Sequence, residues 1–389
     1  MSTNTHKSQE ALINHNLSKS ICIVAHFAYG SLVGDLSGHI GGVERQTSSL
    51  ALWLAKNGYK VRILTWDEGQ REIEDVNGVT VIKMCPQNSG LPILRFFHPR
   101  WTSLCQALKK ANADIYYQNC AEYVTGQVSL WCKLNNRKFV YSVASDPDCL
   151  LDLPKMKSYR EKVLYRYGLH NANKIIVQTK KQQKMILENF GRNSEIINMP
   201  CQGLSISTSP SKFEERYANR ILWVGRIAPV KRLEWLLDIA DMAPDLFFEI
   251  IGPLDNSEYS LSLTQRISKM PNVYFRGAKG RSELSAYYSN CALLCCTSSY
   301  EGFPNTFLEA WSYGMPVVST IDPDNLIKSK HLGDTGASPK ELLSSILLLL
   351  NDPSRWKSAS LSARNYYLQN HNEDNILPLL VNTIFNHKN

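Results

Sequence analysis

Residues 220–232 read Arg220-Ile221-Leu222-Trp223-Val224-Gly225-Arg226-Ile227-Ala228-Pro229-Val230-Lys231-Arg232. The β-rich apolar run 220–224 stops on Gly225, and an amphipathic helical pattern over 231–243 follows it. The unit repeats downstream. Residues 246–251 form a second run ending on Gly252, and 273–275, 292–296 and 317–320 are further short strands. Helical patterns lie between them, including 305–313, closed by Gly314. Short strands alternating with helices predict a parallel sheet with helices on both faces.

The same rhythm fills the first half. Strands are expected at 21–27, 59–66, 79–84, 114–117, 139–144, 174–178 and 195–199, with a helix at 43–57 stopped by Gly58. The pattern pauses in the Gly-, Ser-, Thr- and Pro-bearing loop 201–210 and then restarts. The expected organisation is a polar, disordered stretch 1–20, a doubly wound domain 21–203, a second such domain 204–365 and a terminal helix 366–389. A length of 389 residues suits two domains.

Composition narrows the class. Hydrophobic residues make up 43% and charged residues 20%, an ordinary globular balance that excludes collagen, coiled coil and wholesale disorder. The longest aliphatic run near the C-terminus, 346–350, is far short of the roughly 20 residues a spanning helix needs. The first twenty residues lack the apolar stretch of a signal peptide, which points to a cytoplasmic protein. The ten cysteines show no C-x-x-C spacing and read as buried thiols, not a metal site or disulfide frame. The net charge is +8, and 155–192 alone carries ten Lys or Arg against Glu161 and Glu188. Such a stretch reads either as a face for phosphate-rich partners or as a solvated helix surface. No nucleic-acid recognition motif accompanies it.

In open parallel sheets, ligands bind beyond the C-terminal strand ends, where helix N-termini offer unpaired N–H groups. Three loops stand out there. Gly41-Gly42-Val43-Glu44 ends the long loop after the first strand; its glycines are expected to take positive φ, and the spacing is not a dinucleotide fingerprint. After Gly225, Arg226 and Lys231 flank Pro229 at a helix mouth, a pair of cations suited to a diphosphate, while Arg232 reads as solvated. The densest stretch is Glu301-Gly302-Phe303-Pro304-Asn305-Thr306-Phe307-Leu308-Glu309-Ala310. Gly302 and Pro304 make a turn, Asn305 or Thr306 can cap the helix, and the two carboxylates can accept bonds from sugar hydroxyls. Glu309 sits among apolar neighbours and needs partners.

Gly225-Arg226 through Lys231, the Glu301-x7-Glu309 pair and Gly314-Met315-Pro316-Val317-Val318 together resemble the C-terminal half of retaining GT-B glycosyltransferases, family four (glycosyl transferases group 1). Gly41-Gly42-Val43-Glu44 looks like that family's N-terminal glycine loop, and the resemblance covers roughly residues 20–370. It implies two Rossmann-like domains facing a cleft, with final helices that cross back onto the first domain. It implies that Arg226 and Lys231 bind the donor diphosphate, that Glu309 accepts from ribose and that Glu301 accepts from the transferred sugar. Gly225 and the amides of Gly302, Phe303, Asn305 and Thr306 would line the donor, Arg276 and Gly277 would flank the base, and Gly42 would approach the diphosphate. Three positions depart from the pattern. Ser145-Asp146 replaces an expected His-Asp, which moves the histidine's role to His26 or His39 or leaves it unfilled, and keeps Asp146 as an acceptor-side contact. Pro304 removes one amide donor, and 200–203 replaces an Asn-Gly crossover.

The resemblance implies metal-independent transfer of a hexose-type sugar from a UDP- or GDP-sugar to a glycan or lipid-linked acceptor, with retention. Apolar and basic residues mix in 91–101, and with 155–192 they could lay the first domain on an anionic membrane surface; a core loop beside a solvated helix explains the same residues. A nucleotide-sugar 2-epimerase of the same fold and a non-catalytic sugar-nucleotide-binding subunit are the competing readings.

Overall fold

The computed structural model describes residues 19–34, 41–255 and 257–386. The chain divides into two compact units, the first built from the described residues up to Ile197 together with those from Leu377 onward, the second from Asn198–Ile376. His39 and nearly all of the stretch expected to be disordered, 1–20, lie outside the described residues.

The first unit holds β1 (Ser20–Val24), β2 (Lys60–Thr65), β3 (Ile73–Val76), β4 (Val79–Lys83), β5 (Ile115–Asn119), β6 (Lys138–Ser142), β7 (Lys174–Val177) and β8 (Glu195–Ile196). Their order is β3-β4-β2-β1-β5-β6-β7-β8, and every pairing is parallel except β3 with β4. Alternate residues of each central strand feed two cores. Cys22, Tyr116 and Tyr141 face one, while Ile23, Tyr117 and Val140 face the other. A strand buried on both faces needs an unbroken apolar run, which is the pattern the sequence carries. The last helix, Glu373–Phe385, returns Leu377, Leu380, Val381 and Ile384 to the second of these cores.

The second unit holds β9 (Tyr217–Val224), β10 (Phe247–Ile251), β11 (Val273–Phe275), β12 (Cys291–Cys296), β13 (Val317–Ser319) and β14 (Gly333–Thr335). The order β11-β10-β9-β12-β13-β14 is parallel throughout. Both units are therefore parallel α/β layers of the expected class. Two edge strands escape the sequence reading: β3 carries two acids in four residues, and β14 is Gly-Asp-Thr, so neither shows apolar alternation. All ten cysteines are free thiols, seven of them buried. Among the described residues no helix is long and apolar enough to cross a membrane.

The chain segments expected to part after 203 and 365 instead stay together in the second unit. Tyr367 Oη donates to the Cys201 carbonyl at 2.8 Å and accepts from the Gly203 N–H at 2.9 Å, so 201–203 is bolted to the helix Pro353–Asn370. His371 completes the knot. Its backbone N–H donates to the Tyr367 carbonyl at 2.8 Å, its carbonyl accepts from Cys201 N at 2.8 Å, and its Nδ1 lies 2.9 Å from the Met199 carbonyl. A carbonyl can only accept, so the ring proton sits on Nδ1. Nε2 is then a bare acceptor with no partner, and the ring packs against Phe303 and Tyr366 at 5.1 and 5.4 Å.

This burial pushes the His371 pKa down to about 4, against an upward pull from the Met199 carbonyl. The unfolded chain would take up a proton near the ordinary value of about 6.5 that the folded chain refuses until about 4. Stability is thus fully present above about pH 6.5 and declines as pH falls toward 4. Denaturant titrations should show a loss of about 2 kcal/mol from this group between pH 7 and pH 5. His371→Gln, if it folds, should flatten that slope; an equal slope in the variant would assign it elsewhere.

Candidate functional site

In the second unit, β9, β10 and β12 are neighbours, so the loops leaving their C-terminal ends meet at one edge of the sheet. Gly225 N donates to Ile251 O at 3.0 Å, and Gly252 N to Gly277 O at 3.0 Å. A Cβ on Gly252 would fall 1.8 Å from the Gly225 carbonyl oxygen, so this close backbone approach requires glycine at 252. Gly277 takes φ +70 beside it. Gly225, which ends the strand run, takes no positive φ; the steric demand falls on Gly252.

Arg226 is exposed and makes no hydrogen bond or ion pair among the described residues. Lys231 does not start the helix, as the sequence suggests. It ends a short 3-10 turn, Pro229–Lys231, and the helix begins only at Leu233. The break is Arg232, held at φ 46 while its guanidinium donates to Thr297 O at 2.8 Å and Ser298 O at 3.0 Å and lies 3.9 Å over the Trp235 ring. Arg232 is thus a clamp between two loops, not a solvated cation. Ser299 N donates to Val230 O at 2.8 Å and Thr297 Oγ1 to Lys231 O at 2.7 Å, closing the same seam.

Across the seam, Lys231 Nζ pairs directly with Glu301 Oε1, which also accepts from Ser298 Oγ at 2.7 Å. The side chains are 24% and 18% exposed, so the pair is largely withdrawn from water yet reachable. The two groups that the sequence reading gave to different parts of a ligand therefore hold each other.

The helix Asn305–Ser312 follows, with Pro304 at its N-cap position. Neither Asn305 nor Thr306 holds the cap position: both lie inside the first turn, and Pro304 at the cap makes no side-chain bond to it. The first-turn N–H groups of a helix lack intrahelical acceptors, and here they open beside Glu301. Phe303 is buried on Trp311 and His371, so it anchors the Gly302–Asn305 turn from beneath and offers a ligand only its backbone. Glu309 Oε2 accepts from the buried Tyr288 hydroxyl at 2.6 Å, the partner its apolar setting demands.

Arg276 is the clearest departure. Its guanidinium is committed to Glu249 through Nε at 2.7 Å and a second nitrogen at 3.3 Å. Glu249 is 1% exposed and also holds Arg220 at 2.9 Å. Arg276 therefore neutralises a buried carboxylate first, and that hydrogen bond raises its own pKa. Tyr288 and Ser298 escaped the sequence reading, Arg232 was read as solvated and Gly252 only as a strand end; the hydroxyl run Thr297-Ser298-Ser299 after a strand offered a signal.

In the first unit the expected residues meet other partners. Gly41 is the N-cap of the helix Gly42–Lys56 at φ −106, so neither glycine adopts a left-handed conformation. A Cβ on Gly41 would strike the Glu44 carboxylate at 2.3 Å. Asp146 is held by Lys181 at 2.7 Å and Gln182 at 3.2 Å. Ser145 caps a 3-10 turn and shares Asp148 with Lys155. His26 is 6% exposed, stacks on Trp66 at 4.2 Å and places Nδ1 3.6 Å from Glu122, with Nε2 unpartnered. Among the described residues no group of three or more His, Cys, Asp or Glu is arranged to hold a metal ion.

Two family models match. Residues 218–352 match "Glycosyl transferases group 1", and residues 40–200 match "Glycosyltransferase Family 4". The UDP-N-acetylglucosamine–peptide N-acetylglucosaminyltransferase GtfA subunit of Streptococcus pneumoniae serotype 4 is 28% identical over 165 residues, 40% of this chain and 32% of that protein. The chain thus spans about a third of the length of the first curated relatives it matches. The amylovoran biosynthesis glycosyltransferase AmsD of Erwinia amylovora is 23% identical over 72% of this chain and 77% of its own. The sucrose-phosphate synthase structure from Thermosynechococcus elongatus superposes with a TM-score of 0.76 at 18% identity, covering 93% of this chain and 97% of that one. The 218–352 match lies in the second unit and the 40–200 match lies almost wholly in the first, so each parallel-sheet unit matches a glycosyltransferase family model, and the fold is that of the GT-B glycosyltransferases.

Proposed function

We propose that this chain moves a hexose-type sugar from a UDP- or GDP-sugar to a glycan or lipid-linked acceptor, with retention, in polysaccharide or glycoconjugate biosynthesis. The observation that carries the reading is the seam between the β9 and β12 loops. Arg226, without a partner among the described residues, a Lys231–Glu301 pair and a helix N-terminus with proline at its cap position follow neighbouring strands at one sheet edge. Two cations beside helix N–H groups suit a diphosphate, and a carboxylate beside them suits sugar hydroxyls. The pneumococcal relative's name gives UDP-N-acetylglucosamine as its donor, and this supports a UDP-sugar first.

In the proposed step, the bond between the sugar's anomeric carbon and the diphosphate oxygen breaks, and its electron pair leaves with the diphosphate. An acceptor oxygen bonds to that carbon from the same face, and the acceptor's proton passes to the departing phosphate oxygen. Negative charge grows on the diphosphate, where Arg226, Lys231 and fixed amides stabilise it. The diphosphate draws Lys231 away from Glu301, and the released carboxylate accepts from hydroxyls of the transferred sugar. Glu309, oriented by Tyr288, accepts from the ribose. The acceptor side falls to the first unit, where Asp146 is the proposed contact, and a lipid-linked acceptor would place the protein at the cytoplasmic face of an anionic membrane.

A thermal-shift panel of UDP, GDP, ADP and CMP tests the donor reading. A nucleotide at 100 times its Kd adds about 2.7 kcal/mol. At about 2–4 °C per kcal/mol, UDP or GDP should raise the midpoint by roughly 5–10 °C. No shift with any of the four refutes the donor site. Lys231→Ala should lower kcat/KM by about 30- to 1,000-fold, equivalent to about 2–4 kcal/mol. An unchanged kcat/KM removes the lysine from the mechanism. Glu301→Gln should leave UDP binding as tight or tighter, since Lys231 loses its competitor, while transfer falls by about 100-fold or more. Weaker UDP binding in that variant would contradict the exchange of partners.

A further inference from the structure

The first unit leaves an apolar surface uncovered. Segment 91–101 turns Phe96 inward, 6% exposed, and leaves Leu91, Ile93, Leu94 and Phe97 at 69, 88, 56 and 55%. The Arg160 guanidinium lies 3.7 Å over the Phe96 ring, and Phe96 also meets Tyr123 at 5.4 Å. These contacts fasten the segment to the start of the helix Tyr159–Asn171. That helix turns Tyr165, Gly168 and Leu169 inward and carries Tyr159 and Val163 outward, 78% and 43% exposed. It cannot rotate to hide them. It packs backbone to backbone on the helix Val124–Leu134, where a Cβ on Gly126 would lie 2.2 Å from the Leu164 carbonyl oxygen. Six large apolar side chains thus stand in water on two elements locked together.

Charge says what covers them. Arg95, Arg100, Lys157, Arg160, Lys162 and Arg166 belong to the same two elements and the turn before the helix. The acidic residue among them, Glu161, folds its carboxylate back onto the N–H groups of Lys157 and Ser158. A protein partner matched to this surface would need an acidic rim around an apolar centre. An anionic bilayer supplies both at once, with phosphates for the cations and acyl chains for Phe97 and Ile93. The segment follows β4 and the helix follows β6, so the surface lies toward the C-terminal end of this sheet, the end at which parallel sheets bind ligands.

We infer that segment 91–101 and the N-terminal half of helix Tyr159–Asn171 form a docking surface for an anionic phospholipid bilayer. This deepens the acceptor reading and rests on it for its purpose, because a lipid-linked acceptor is presented at such a surface.

Sedimentation of the full chain with vesicles of roughly equal parts phosphatidylglycerol and phosphatidylcholine tests it. The chain should sediment with these vesicles at low salt, release at high salt and ignore pure phosphatidylcholine. Ile93→Glu with Phe97→Glu should weaken binding by roughly ten-fold or more. Lys157→Gln with Arg95→Gln should weaken it about five-fold per cation and reduce the salt dependence. The UDP thermal shift of each variant should match the unmodified chain. That control separates failure of the surface from misfolding and from failure of the donor reading. No sedimentation at low salt, or equal sedimentation of the Glu variant, overturns the inference. So does a dimer in solution that the Ile93→Glu, Phe97→Glu pair converts to monomer, since the occupant would then be a second copy.

Discussion

The second unit is organised around one seam, the junction between the loops that leave β9 and β12. Hydrogen bonds and one ion pair close it: Arg232 to two carbonyls, Ser299 and Thr297 to the opposite backbone, and Lys231 to Glu301. Parallel strands place consecutive loops at one end of the sheet but do not fix their separation. The seam does, and it does so with side chains that carry opposite charge. Two facing groups of one sign would repel each other across the seam; here Lys231 and Glu301 neutralise each other and help hold the two loops together.

Beneath that seam lies an apolar prop. Phe303 reaches down from the turn that opens the helix Asn305–Ser312 and rests on Trp311 and His371. His371 is in turn fixed to 199–201, the stretch by which the chain enters the unit. The turn carrying the helix N-terminus is thus braced by the entering segment 199–201 and by the end of the helix Pro353–Asn370. A ring with a bare nitrogen facing aromatic carbon is a costly brace, tolerable only while the imidazole stays neutral. A leucine would pack as well, but it could not donate to the Met199 carbonyl.

Much of the fold was legible because strands buried on two faces must be apolar throughout, and runs such as 291–296 announce themselves. What stayed hidden lay at edges and turns. β3 and β14 are half-exposed edge strands whose acids and glycine leave no periodic signal. The start of the helix after Lys231 was misplaced because a helical pattern cannot register one left-handed residue, and Arg232 takes that conformation for the sake of carbonyls 65 and 66 positions away. The sequence placed Lys231 and Glu301 in loops after neighbouring strands, and these two meet, but it did not show the pairings. That Lys231 would hold Glu301, that Tyr288 would hold Glu309 and that Arg276 would be spent on buried Glu249 depend on contacts across 21 to 70 residues of sequence.

The Arg276 case shows why a cation near a binding edge is ambiguous until its partners are known. Glu249 lies in β10, the strand between β9 and β11, and at 1% exposure its charge needs compensation from within the protein. Arg220 on β9 and Arg276 just beyond β11 reach it from either side. Removing Arg276 would leave a buried carboxylate with half its support, so loss of activity in such a variant would report on the sheet as much as on the ligand. Arg226 has no such second duty. It is exposed, has no partner among the described residues and follows directly on the glycine that ends β9, so replacing it removes no internal contact that they show.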